Sequence, residues 1–331
     1  MAPNHLTWYT TQLRQYLTPD EVRDVMRKSN WRAALGVLDT WFWIAFAFAI
    51  AGIWPNVFTI ILALFIIGGK QLACAILLHD CSHDSVFTSR RLNDFVGNWF
   101  GAYPILQNLY QYRPYHREHH MYTGLDNDPD MSLTKGYPTT AFSMMRKIAR
   151  DLVGATGVKA QIGVIAMHVG ILKYNLGGAI ERIREKKDWK ETLTNAFRNL
   201  WGPVTANLIL FSILALTGKP WLYLLWIGAM FTTYNFSLRV RSMAEHCIVE
   251  DRTDPQRNTR TTYANFIERM LFAPYHVNYH VEHHLCMGAP SYNLPQMHDI
   301  LLRKGYYEHA NLERNYWSII RIAIVPAKTV G

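Results

Sequence analysis

His116, His119 and His120 lie within five positions of one another in the stretch HREHHMYTG, residues 116–124. Histidine is a poor choice for a merely wetted surface because it is mostly neutral at pH 7, and neutral imidazole is the commonest metal ligand. In a helix the spacing i, i+3, i+4 puts the three rings on one face, where their nitrogens can converge. A single HxxHH is more often a surface cluster than a metal site. Here the pattern returns as His280, His283 and His284 in HVEHH, and a shorter pair, His79 and His83, sits in HDCSHDSVF. Eight of the 14 histidines fall in these three clusters, and His246 in RSMAEHC is a ninth candidate. Repetition on this scale argues against a surface origin.

Nine neutral imidazoles with few carboxylates suit two transition-metal ions of four or five ligands each, because Mg and Ca prefer oxygen. Composition by itself leaves Zn, Fe and Cu open. Carboxylates able to accept from a ring N–H and fix its tautomer are at hand in Asp80, Asp84, Glu118, Glu245 and Glu282, and in DNDPD with Asp126, Asp128 and Asp130. His168, His298 and His309 stand outside the clusters and are expected to tolerate substitution.

The elements that must bring these residues together are apolar. Residues 34–54 and 56–78 are each long enough to cross a bilayer, interrupted only by Asp39 and Lys70, and they turn at Trp54-Pro55. A second pair, 200–217 and 221–240, turns at Gly218-Lys219-Pro220. A mean hydropathy of −0.06 conceals this concentration. The expected fold is all-α: a multi-pass membrane protein with four transmembrane helices in two hairpins and a cytosolic helical cap that holds a histidine-rich metal site. Residues 1–33 form an amphipathic cytosolic segment without a cleavable signal peptide, 34–295 the membrane domain and 296–331 a cytosolic C-terminal segment.

Arg14, Arg23, Arg27, Lys28 and Arg32 precede the first span while the two hairpin turns carry only Lys219, which puts the N-terminus in the cytosol. The first cluster follows span two, His246 follows span four, and two spans separate the second cluster from the third. All nine candidates therefore meet at one membrane face. Residues 95–110 and 162–178, marginal in length and weakened by Pro or Gly, are read as interfacial helices. The net charge of +9 requires no nucleic acid. Much of it lies in 141–199, where RKIAR and ERIREKKDWK suit anionic headgroups. Cys74, Cys81, Cys247 and Cys286 show no CxxC spacing, and no disulfide is expected on a reducing face.

An HxxxH after a transmembrane hairpin, HxxHH some thirty residues later, two further spans, an EH exit motif and a final HxxHH together resemble the integral-membrane fatty acid desaturases over about residues 35–295. The resemblance implies a centre of two non-haem Fe ions that uses O2 and two electrons to remove hydrogens from an unactivated acyl chain. It carries over as ligands His79, His83, His116, His119, His120, His246, His280, His283 and His284. Asp80, Asp128, Asp130, Ser242 and Glu282 are expected around them. Members often place Asn where this chain has Ser242, and a Tyr-Pro pair after the final box where this chain runs HHLCMGAP. Oxidising an aliphatic C–H bond demands a redox-active metal, which disfavours Zn and agrees with iron.

The implied substrate is an acyl lipid in the membrane, threaded through a tunnel for which Trp99, Phe100 and Tyr103 are candidate lining. No HPGG segment of a fused cytochrome b5 domain is present, so a separate electron donor of ferredoxin or cytochrome b5 type is implied. Two rival classes share these features: a di-iron hydroxylase or ketolase acting on an alkane, carotenoid or lipid, and a non-enzymatic metal transporter. The transporter is disfavoured because its ligands belong near the bilayer midplane, whereas here they lie beyond the span ends.

Overall fold

The computed structural model describes residues 5–183 and 188–326; part of the basic stretch ERIREKKDWK lies outside them. Among the described residues, three helices are long and apolar enough to cross a membrane: α1 (Asn30–Ile53), α2 (Val57–Ser82) and, later in the chain, α4 (Trp189–Leu216). The first two form the expected hairpin. Asn56 caps α2 by accepting from the N–H groups of Phe58 and Thr59, while the Thr59 hydroxyl accepts from the Asn56 N–H, so the chain reverses directly after Pro55. Of the three, α2 lies deepest, with 67% of its apolar window buried against 33% for α1 and 22% for α4. It ends in the first histidine pair, and therefore positions the site.

The expected fourth span, 221–240, is not one continuous helix. It is divided into α5 (Tyr223–Phe231) and α6 (Thr233–His246) at Thr232, whose φ of −115° and ψ of −91° are not helical. The cause is local. The Thr232 hydroxyl bonds back to the Gly228 carbonyl at 2.6 Å, and the Asn235 amide donates to the carbonyls of Met230 and Phe231, satisfying groups that the break frees. The kink turns α6 against α2 at Gly68, where an added Cβ would lie 2.2 Å from Thr233 Oγ1 and 2.7 Å from the Tyr234 nitrogen. Only glycine admits that approach.

Residues 95–110 also depart from the expected helix. They run as the end of a short helix, a π turn (Gly97–Ala102) and a 3-10 turn (Tyr103–Ile105). Their backbone presses on α2, where a Cβ on Gly101 would lie 3.0 Å from the Cys74 carbonyl. Tyr103 is buried beside Trp99 and Trp201 of α4, where these rings pack the turns against α4, and Phe100 is exposed. Residues 162–178 contain the end of a 14-residue helix, Ala155–His168, followed by turns.

The second histidine segment lies on α3 (Leu109–Tyr122), capped by Asn108, and the third on the short α7 (His280–Leu285). Arg113 fastens α3 to the end of α2 by donating to the Ser82 carbonyl at 2.9 Å and pairing with Asp94 at 2.5 Å. The mainly helical chain also contains two three-residue strands that the all-α expectation lacked: β1 (Arg260–Thr262) pairs in parallel with β2 (Asn311–Glu313). All four cysteines are free and buried.

Candidate metal centre

The nine histidines come together as two adjoining clusters. His79 and His83 from the end of α2, His116 and His120 from α3, and His283 from α7 form the first. His119 from α3 with His246 and His284 forms the second, which His280 joins through His246 and Glu245. The two HxxHH segments thus interlock: α3 gives its i, i+4 pair to the first cluster and its i+3 ring to the second, while α7 does the reverse. His120 and His284, with ring centroids 4.3 Å apart, meet where the clusters touch.

Ring nitrogens face one another at close range. His120 Nε2 lies 3.1 Å from both His116 Nε2 and His283 Nε2, and His280 Nε2 lies 2.8 Å from His246 Nε2. Six further ring nitrogens, on His79, His83, His116, His120, His280 and His284, are buried without any hydrogen-bond partner. Neutral rings cannot satisfy such an array among themselves, because each has one N–H and His120 Nε2 faces two others. Cations at the convergence points satisfy the inward-facing Nε2 atoms; the Nδ1 atoms of His116, His120 and His280 lie on the opposite edge of their rings and are not reached by them. Burial first, then the neighbouring imidazoles, hold His116, His120, His280, His283 and His284 well below the usual histidine range, leaving lone pairs free at neutral pH.

Several outer partners fix ring orientation. Asp80 Oδ1 lies 2.7 Å from His79 Nδ1 and Asp128 Oδ1 2.8 Å from His119 Nδ1, each leaving Nε2 to face inward. Asp128 is itself held by the N–H groups of Gly124 and Asp130. Asp130 accepts from Tyr115 and stands 3.6 Å from His119. For His119 burial is the largest single influence and lowers its affinity for protons, but Asp128 and Asp130 together outweigh it and push the ring up to about 9. The Asn258 carbonyl is 3.2 Å from His246 Nδ1.

Other expected neighbours lie elsewhere. Glu282 touches no clustered histidine: it faces away from the metal side and accepts from Thr261 at 2.6 Å, from His298 at 2.6 Å and from Tyr307. Ser242 is buried beside a void of about 30 Å³, a single water's room, bordered by His116, His280 and Glu245, and its hydroxyl makes no hydrogen bond to the clusters. Glu118 is exposed, Asp84 pairs with Arg113, and Asp126 pairs with Arg252 at the surface. His168 bonds the Leu106 carbonyl at 2.9 Å, far from the rings.

His298, set apart from the clusters in the sequence, has a role that spacing does not show, and Arg241 was not singled out at all. His298 is not peripheral but buried, between Glu282 and the Tyr263 hydroxyl; no spacing advertises it. Arg241 donates to Glu245 at 2.6 Å, and its i, i+4 spacing on a helix was a readable signal.

A buried, histidine-built metal site at the ends of apolar helices defines a class of integral-membrane metalloenzyme. Residues 51–317 match the family model described as fatty acid desaturase, and the chain belongs to that family, an oxidoreductase family. It is 24% identical over 258 residues to dihydrorhizobitoxine desaturase of Bradyrhizobium elkanii, covering 74% of this chain and 68% of the relative. It is 24% identical over 234 residues to sn-1 oleoyl-lipid 12-desaturase of Synechocystis sp., covering 67% and 62%, so the chain spans under two thirds of that protein. Against sn-1 acyl-lipid omega-3 desaturase (ferredoxin) of Nostoc sp. the identity is 24% over 295 residues, covering 82% and 71%.

Proposed function

We propose that this protein is an O2-dependent lipid desaturase that introduces a double bond into a fatty acyl chain held in the membrane, with two Fe ions in the two clusters. His79, His83, His116, His120 and His283 hold one ion, and His119, His246, His280 and His284 the other. The observation that supports this best is the interlocking of the two HxxHH segments, which offers two adjacent all-imidazole sites within one buried volume. The donor set fits iron: imidazole suits Fe, Zn and Cu alike, and the redox demand of C–H oxidation selects among them. When bound, the pair of irons supplies the two-electron oxidising power drawn from O2.

The chain's own residues do the rest. Asp80 and Asp128 hold ring N–H groups so that Nε2 points inward, and the cap of α3, α7 and the His246 end of α6 excludes water. A cavity of about 440 Å³ between α1, α2 and the cap has an apolar part bordered by Trp43, Met270 and Tyr275, the Asp39–Lys70 pair in its wall and Arg32 and Arg269 among its lining. None of the nine clustered histidines borders it; a lipid with a polar head suits it. In this reading the kinked α5 and α6 cross as the fourth span, the site faces the cytosol, and a ferredoxin or cytochrome b5 type protein delivers electrons. Two of the three relatives' names, sn-1 oleoyl-lipid and sn-1 acyl-lipid, support a lipid-bound acyl chain, while that of the third specifies dihydrorhizobitoxine.

The test is lipid mass spectrometry on cells expressing the wild-type chain, or His119→Ala, with a working electron donor under labelled O2. Wild type alone is expected to accumulate an acyl lipid lacking two hydrogens and carrying no label. A product that gains one labelled oxygen without a new double bond would move the protein to the hydroxylases.

A further inference from the structure

The two clusters are unequal: five imidazoles converge in the first and four in the second. We propose that Glu245 supplies the missing donor, one carboxylate oxygen binding the second metal directly, so that the two ions sit in different coordination spheres. The inference rests on the metal reading above.

The carboxylate is divided between two tasks. Its Oε1 accepts from Arg241 Nε at 2.6 Å, which fixes the group and leaves Oε2 turned toward the second cluster, 3.7 Å from His280 Nε2. That separation is beyond a hydrogen bond. It does suit two donors on one ion, since metal bonds of about 2.0–2.2 Å put neighbouring or opposed ligand atoms roughly 3–4 Å apart. Glu245, His246 and His280 present donor atoms within 4.8 Å of one another. Glu245 is 3% exposed. A carboxylate that deep requires a paired charge or a metal, and Arg241 occupies only one of its oxygens. The void beside Ser242, which Glu245 also borders, leaves room for the small shift that bond formation needs.

The alternative is that Glu245 is only the counter-ion of Arg241. Substitutions separate the two. Mössbauer spectra of purified full-length protein loaded with 57Fe in lipid nanodiscs are expected to show two quadrupole doublets of equal area. Glu245→Gln is expected to displace or remove one doublet, with iron content falling from about two toward about one per chain if the ion is lost, while the other doublet stays in place and reports an intact fold. Arg241→Met removes the ion pair but keeps the carboxylate, and is expected to retain both doublets. Two irons with both doublets unmoved in Glu245→Gln would overturn the proposal, as would matching spectra for Glu245→Gln and Arg241→Met in which one doublet is displaced. A wild-type chain that binds no iron would instead defeat the di-iron reading itself.

Discussion

In α3 the box of His116, His119 and His120 rides on a 14-residue helix capped by Asn108 and fastened by Arg113, whereas in α7 the same box occupies six residues. A helix that short does not persist on its own. It is held from behind: Glu282 gathers Thr261, His298 and Tyr307, and the Val281 N–H donates to Thr261 Oγ1, tying α7 to β1, to α8 (Leu294–Arg303) and to the chain before β2. Identical motifs therefore depend on different supports. One is mostly local helix geometry, and the other is a buried polar network.

Substitutions in and behind the two boxes test that contrast. The largest effect belongs to the rings themselves. His119→Ala and His283→Ala are expected to lower iron content and to reduce turnover by more than the roughly 10–100-fold typical of an outer partner, read by metal analysis and by double-bond formation. Behind the boxes the outcomes diverge. Glu282→Gln is expected to destabilise the protein by about 3 kcal/mol, because buried donors lose a charged acceptor, and His298→Ala to lower stability in the same direction; thermal unfolding in detergent reads both. Asp128→Asn, behind α3, is expected to weaken metal binding about 10–100-fold with a smaller change in unfolding temperature. Equal thermal losses for Glu282→Gln and Asp128→Asn would remove the distinction between the supports. The smallest effect on the metal site is that of His168→Ala, which empties a buried ring's place and its bond to Leu106 at a cost of about 1–3 kcal/mol and leaves iron content unchanged.

Much of this arrangement was legible in the residues. The cluster spacings and the hairpin at Trp54-Pro55 pointed to a single site, and the folded chain gathers those nine rings; the parity of the later spans rests on a fourth crossing at 221–240, which is divided at Thr232. The position of Glu282 was also within reach: at about 100° per residue it lies about 200° from His280 on a helix, which is the far face. Adjacency in sequence misled there. The break at Thr232 was harder to see, because hydropathy averaged over 221–240 takes no account of a hydroxyl that bonds back to Gly228. His298 could not be found by spacing, since its partnership with Glu282 exists only once α7 and α8 pack together.

The central claim is that two interlocked boxes hold two iron ions, and metal analysis of a catalytically active preparation tests it most directly. The expected result is about two iron atoms per chain, with iron and turnover lost together on chelation and restored together by Fe(II). Stoichiometric zinc in an active preparation, or full turnover with a single iron per chain, would contradict it.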